Sequence, residues 1–463
     1  MIKIIEIFIL FTILSLLKYV STENKLIFAF EITRHGVRSP SSGVKNEKDL
    51  FEENWTSNGE LSDVGKRQLY LLGNGVRKRY METYNLLSKN YNPQEIYIQS
   101  TDYNRTIESI YSFIQGLYPN GTGKTINEKI VNNADITFPP NINEKYKKEF
   151  ENILKKDFFK EKNYALPFNM DTLPVHILNS IDDQFQIFES NVCPKLKQQY
   201  EKIHKNETIT IFSKKLKNNT KDLFIEIEKN YTNNKNIKNN NFLDDYWTLY
   251  RYEDNLFCNN RDERNFSDFK EKYKDFNINL NQLIKDARQF LREDYFLSSK
   301  QTYKAVFSSS SILFDLVNWM EKAIKMSSNS TNSSYTKYVI YSANDLSIEA
   351  LERFMNLYFY AKLEYIDFAE RRSFELYHDN KKNTYQVKYL KGINVTKYNN
   401  TFKFFKEKIQ DKAWSPSKLK EFCFQKDKDK YDINITGATI MVILSVIDGV
   451  LIVLFILFCA KKR

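Results

Sequence analysis

Apolar runs and helical periodicities alternate near both ends of the chain, and a long charged segment separates them. Lys25–Ile32 (KLIFAFEI) is an unbroken apolar and aromatic run that stops at Thr33-Arg34-His35-Gly36. That pattern predicts a buried strand running into a loop. Ser62–Tyr80 sets Leu69, Leu72 and Val76 at helical spacing behind Ser62, a residue suited to cap a helix N-terminus. Glu95–Gln99 (EIYIQ) predicts a second strand leading into Ser100-Thr101-Asp102. Asn104–Leu117 predicts a helix with Ile107, Ile110, Tyr111 and Ile114 on one face. Strand, loop and helix in succession imply βαβ units. Residues 140–300 differ: they are Lys/Glu/Phe-rich and mainly helical, with a loop at the Asn-rich stretch Asn230–Asn241. Beyond a polar surface loop at Ser327–Ser334, Lys337–Ala343 reads as a strand, and Ser373–His378 and Thr384–Tyr389 as a later strand pair. There is no internal repeat.

Composition narrows the class. With 463 residues, 42% hydrophobic and 15% aromatic, the chain has material for a sizeable core and is too apolar for disorder. Four Cys at this length exclude a disulfide framework as the main source of stability. The net charge of +11 comes from Lys spread along the chain, with no compact basic block outside the extreme C-terminus. No nucleic-acid partner is expected.

The ends set the expected compartment. Met1–Lys18 carries a lysine and then an apolar run of signal-peptide length, so residues 1–22 read as a cleaved leader. Residues 435–460 form an apolar stretch longer than the roughly 20 residues that cross a bilayer. Asp448 interrupts it at a cost of about 3 kcal/mol, which the surrounding Ile, Leu, Val and Phe outweigh. The basic triplet 461–463 marks the cytoplasmic side. The expectation is a single-pass type I membrane protein. Residues 23–139 and 301–425 would form the two parts of an α/β core, 140–300 a helical cap and 426–434 a stalk. A lumenal or extracellular body permits glycans, and Asn54, Asn120, Asn206, Asn265, Asn394 and Asn434 lie in N-x-S/T sequons. Cys459 falls at the membrane edge, which leaves Cys193, Cys258 and Cys423, an odd number.

Arg34-His35-Gly36-Val37-Arg38-Ser39-Pro40 directly follows the first strand. Gly36 allows a tight backbone path beside a ligand. Arg34 and Arg38 are planar cations able to grip phosphoryl oxygens bidentately. His35 between them is suited to attack phosphorus as a neutral imidazole, and flanking guanidiniums disfavour its protonated form. Weighed alone, Arg105 would be a solvated helix charge, Asp345 an N-cap for a helix Leu346–Leu357, and His176 a packed loop residue. His204 and His378 carry no site signal.

The chain resembles the histidine acid phosphatases, the branch of the phosphoglycerate-mutase-like superfamily that includes prostatic and lysosomal acid phosphatases. Beyond the Arg-His-Gly motif, Gly59–Gly65 with Gln68 and Arg77–Tyr80 resembles the family's G-x-L-T-x-x-G-x-x-Q helix and its R-K-R-Y end. Ser100–Thr106 is similar to S-T-D-x-x-R-T, Pro174-Val175-His176 to P-V-H, Cys193-Pro194 to C-P, and Tyr341–Asp345 to Y-S-A-H-D. The resemblance implies a three-layer α/β fold with a mixed central sheet and a helical cap. It implies a phosphoric monoester hydrolase in which His35 is the nucleophile, Arg34, Arg38 and Arg105 bind phosphate, and Asp345 is the general acid. The implied partner is a small phosphomonoester, with no cofactor or metal, and a homodimer is left open. It further implies a Cys193–Cys423 disulfide and leaves Cys258 as a free thiol or atypically paired. Asn344 stands where the family has a second phosphate-binding His. That change admits an impaired member that binds phosphorylated ligands as an alternative, and a phytase-like action on inositol phosphates is another. Asn104 is formally a sequon, and a glycan there would block the site, so it is expected to be bare.

Overall fold

The computed structural model describes residues 24–41 and 57–177, a discontinuous part of 193–288, and 303–424, with short interruptions. Residues 1–22, 426–434, 435–460 and 461–463, the stretch Asn230–Asn241, His204, and the sequons at Asn54, Asn206, Asn265 and Asn394 lie outside the described residues. Among the described residues no helix is long and apolar enough to cross a membrane.

The elements used below are, in chain order, β1 (Lys25–Arg34), α1 (Asp63–Arg77), β2 (Ile96–Ser100), α2 (Asn104–Leu117), α3 (Glu144–Leu154), β3 (His176–Ile177), α4 (Tyr246–Asp262), α5 (Tyr303–Ser327), β4 (Tyr338–Ala343), α6 (Asp345–Phe359), β5 (Arg371–Asp379), β6 (Thr384–Lys391), β7 (Val395–Thr401), α7 (Phe402–Lys412) and α8 (Pro416–Phe424). The strands make one mixed sheet in the order β3-β2-β4-β1-β5-β6-β7. The β3, β2, β4 and β1 side is parallel; β5, β6 and β7 continue antiparallel.

Both faces of the sheet are covered, which is why its central strands read as continuous apolar runs. Strand side chains alternate between faces. Phe30 and Ile32 of β1, with Val339 and Tyr341 of β4, join the layer of α5, α6 and α7. Ala29 and, from β4, Tyr338 and Ile340 join the layer of α1 and α2. The expected three-layer α/β architecture with a mixed sheet is therefore present.

Two expectations about the α1–α2 layer need correction. The buried stripe of α2 is Ile110, Phe113, Ile114 and Leu117, whereas Tyr111 is 48% exposed. The cause is close packing: a Cβ on Gly116 would stand 1.9 Å from the Tyr70 carbonyl, and one on Gly73 2.0 Å from the Phe113 carbonyl. The helices meet along glycine, and this rotation carries Tyr111 to the surface. The first helix also ends its regular course at Arg77 and widens into a π turn over Lys78–Thr83. Arg79 and Tyr80 of that turn reach buried Glu375 on β5, at 2.6 and 3.0 Å.

Cys193 and Cys423 form a disulfide, buried with Phe307 and Leu419, with Trp414 and Phe422 packed against it. Cys258 is a buried free thiol.

Candidate active site

Strand register assembles the site. Arg34 on β1 pairs with Ala343 on β4, and Ser342 pairs with Ser100 on β2. The parallel strands thus end level, and the loops after them, 35–41, 101–103 and 344, open on one edge. This is where open parallel sheets place ligands.

The loop after β1 sits on the first turn of α1. A Cβ on Gly36 would be 2.4 Å from the Gly65 carbonyl oxygen, and one on Gly65 2.2 Å from that of Val37, so both positions need glycine. Gln68 Oε1 accepts from the Val37 N–H at 3.1 Å, and Ser109 Oγ from that of Gly36 at 3.1 Å. Ser62 caps α1 by accepting from the Gly65 N–H at 3.1 Å. The helix expected from Ser62 therefore begins as the sequence indicates.

His35 is buried at this junction. Its Nδ1 lies 2.8 Å from the Gly36 carbonyl oxygen. A carbonyl only accepts, so Nδ1 carries the proton and Nε2 of the neutral ring holds the lone pair. Burial first, then the guanidiniums of Arg105, Arg34 and Arg38, hold the ring's pKa well below the ordinary histidine range.

Each cation is fixed by a different element. Arg34 ends β1; it pairs with Asp345 at 2.7 Å, donates to the Ile366 carbonyl at 3.2 Å, and lies 4.2 Å from the Phe368 ring centroid. Arg38 makes a bidentate pair with Asp254 on α4, at 2.8 and 3.1 Å. Asp254 also accepts from the Ser41 N–H at 2.7 Å and the Ser41 hydroxyl at 2.8 Å. Burial works to raise the Asp254 pKa, but Arg38 and Ser41 outweigh it and bring it to about 2. Arg105, at the start of α2, lies 4.4 Å from the Tyr103 ring centroid and donates to Asn344 Oδ1 at 3.2 Å.

Asp345 is the first residue of α6, one position past the cap that its residue type alone would suggest; Asn344 holds the cap position without a side-chain capping bond. The Asp345 carboxylate is divided between the cations and the helix start: its Oδ2 meets Arg34 at 2.7 Å and Arg288 at 2.8 Å. Its Oδ1 accepts from the Leu346 N–H at 2.9 Å. His35, Arg34, Arg38, Arg105, Asn344 and Asp345 thus lie in one neighbourhood. His176 stacks on Tyr97 at 4.7 Å, and His378 pairs with Lys25 at the opposite end of β1.

Several site residues carry no motif and were not anticipated: Glu253, Asp254 and Phe257 on α4, then Arg288 and Phe368. The Phe257 ring lies 3.8 Å from Arg288 and 5.7 Å from Arg34. Cys258, one helical turn beyond Asp254, is 3.4 Å from Arg38, and burial pushes its thiol pKa up. The sequence signal was present only as an acidic pair, Glu253-Asp254, within a segment already rich in charge.

The fold and this constellation define a histidine phosphatase, and comparison with known proteins gives the same class. The chain belongs to the histidine phosphatase superfamily (branch 2), whose family model matches residues 25–391. It is 26% identical over 379 residues to lysosomal acid phosphatase of Xenopus laevis, covering 81% of this chain and 72% of that one. It is 25% identical over 364 residues to the human lysosomal acid phosphatase, covering 78% and 69%. Among solved structures, the Klebsiella sp ASR1 phytase superposes with a TM-score of 0.53 at 14% identity, over 85% of this chain and 98% of that one. This last likeness is one of fold.

Proposed function

We propose that this protein is an acid phosphatase that hydrolyses phosphate monoesters through a phosphohistidine. The observation that carries the proposal is the His35 ring, kept neutral by burial and by three guanidiniums, with Nδ1 committed to the Gly36 carbonyl. The Nε2 lone pair attacks phosphorus and the P–O bond to the alcohol breaks. Asp345 gives its proton to the departing oxygen, so alcohol leaves and phosphoryl stays on Nε2. Water then attacks phosphorus, its proton returns to Asp345, and the N–P bond breaks to release phosphate. Arg34, Arg38 and Arg105 hold the equatorial oxygens through both steps. Because the acid must start protonated while the depressed histidine stays neutral, turnover is fastest at acidic pH.

Single-phosphate substrates are favoured over inositol polyphosphates. Of the described cations near the site, Arg38 faces Asp254, Arg34 and Arg288 share Asp345, and Arg261 faces Asp367; Arg105, which donates to Asn344, is engaged by the transferred phosphoryl group itself. Little positive charge is left over for further phosphates. The lysosomal relatives and the leader-like N-terminus support a lumenal or extracellular body. The run 435–460 supports anchoring, and residues 140–300 supply the cap.

The test is to purify the full chain in detergent and assay phosphomonoester hydrolysis near pH 5 beside His35→Ala. Wild type should release phosphate and retain label from a 32P-monoester after an alkaline quench, in which phosphohistidine survives. Equal release and equal labelling in both proteins would refute the proposal.

A further inference from the structure

The Asp345 carboxylate is held in an unusual way for a group that must donate a proton. Its Oδ2 meets two guanidiniums, Arg34 at 2.7 Å and Arg288 at 2.8 Å. Arg34 belongs to the set that acts directly on His35. When a phosphoryl group arrives, its oxygens compete for Arg34, and the carboxyl loses that hold. Arg288 is committed differently. Its Nη1 pairs with Glu253 at 2.8 Å and its Nη2 with Asp345, both arginine and glutamate side chains being at most 5% exposed. Its guanidinium also lies 3.8 Å from the Phe257 ring centroid. Arg288 is therefore fixed on three sides, and Glu253 offsets its charge. Other groups facing Asp345 are Arg105 from α2 and Tyr250 from α4.

We infer that Arg288, seated on α4 by Glu253 and Phe257, is the positioning residue that keeps Asp345 aimed at the leaving oxygen after substrate has engaged Arg34. Neutralisation by Glu253 lets it orient the carboxyl through Oδ2 without adding an unbalanced cation. The inference rests on the phosphatase reading above and extends it. It gives α4 a function in the first step of the reaction, protonation of the leaving group, in addition to fixing Arg38.

The test uses two substrates that differ in how much they need the acid. p-Nitrophenyl phosphate leaves as a stabilised phenolate; glycerol 2-phosphate leaves as an alkoxide that must be protonated. In the full chain, Arg288→Gln should lower kcat/KM for glycerol 2-phosphate about 10- to 100-fold more than for p-nitrophenyl phosphate, a part of what general acid catalysis contributes. Asp345→Asn should show the same selectivity, and adding Arg288→Gln to it should not change the ratio further. Arg288→Lys should recover part of the loss, and Glu253→Gln should fall between it and wild type. These two milder variants carry the test if Arg288→Gln does not fold. Equal losses on both substrates, or a rise in KM with kcat unchanged, would overturn the inference while leaving the phosphatase reading intact. A wild type that hydrolyses neither substrate would overturn both.

Discussion

At the residue scale, the depressed pKa of His35 has a cost that can be measured apart from catalysis. The unfolded chain binds a proton at histidine below about pH 6.5, but the folded chain resists binding one. Stability from this residue is therefore present above that pH and is lost as the pH falls. His35→Gln should abolish turnover yet lose less melting temperature than wild type between pH 7.5 and 5.5 in phosphate-free buffer, read by calorimetry. An equal or larger loss in the variant would contradict the neutral-imidazole picture. Asn344 is the complementary case. Its Oδ1 is taken by Arg105, so only its neutral amide remains to meet a phosphoryl oxygen. Asn344→His should raise kcat/KM, on the order of 10²-fold if the missing donor matters as much as one in an oxyanion hole. An unchanged rate would show that the four arginines around the site already suffice.

At the element scale, the site depends on how closely α1 approaches the β1 loop and α2. Gly116→Ala forces a Cβ against the Tyr70 carbonyl on the neighbouring helix backbone, which has no flexible end to move. It should destabilise the fold by about 1–3 kcal/mol and lower activity by displacing Ser109 from the Gly36 N–H. Urea unfolding checks the first effect and kcat/KM the second. The sequence exposed the elements whose burial is local and uniform. β1, β2, β4 and α2 announce themselves because apolar runs or a helical stripe coincide with their bounds. β7 was not anticipated, since an exposed edge strand reading VTKYNNT needs no alternation. α7 and α8 were missed for a similar reason, being short and Lys-rich. The motif-bearing side chains were legible because phosphate chemistry demands particular residue types at fixed spacing. Asp254, Glu253 and Arg288 were not, because a buried ion pair between distant helical segments has the same composition as a solvated one. Only tertiary packing makes α4 a wall of the site.

At the scale of the whole molecule, carboxylates paired inside the fold set its tolerance of acid. Burial opposes ionisation of Asp254, but Arg38 brings it from 3.8 to about 2, and Arg79 with its neighbours likewise lowers buried Glu375. The Asp254 contribution is complete above about pH 4 and disappears as the pH falls toward 2, and that of Glu375 is likewise lost in acid as the pH falls through its lowered range. Glu31 has the opposite sign: burial raises it despite Arg371, so its contribution is lost as pH rises above its ordinary range. Asp254→Asn should lower the melting temperature at pH 6 and flatten the decline between pH 4 and 2.5. A variant with the wild-type slope would remove Asp254 from this account. The strand order carries a consequence for biogenesis. β4 lies between β1 and β2, but the ribosome delivers it only after β2, α2, α3 and α4 have emerged. Until then the two amino-terminal strands lack the neighbour that joins them, and their apolar faces wait uncovered. Nascent chains cut short before residue 338 should bind chaperones and stay protease-sensitive, and extension past residue 343 should let β4 join β1 to β2 in one late, cooperative event.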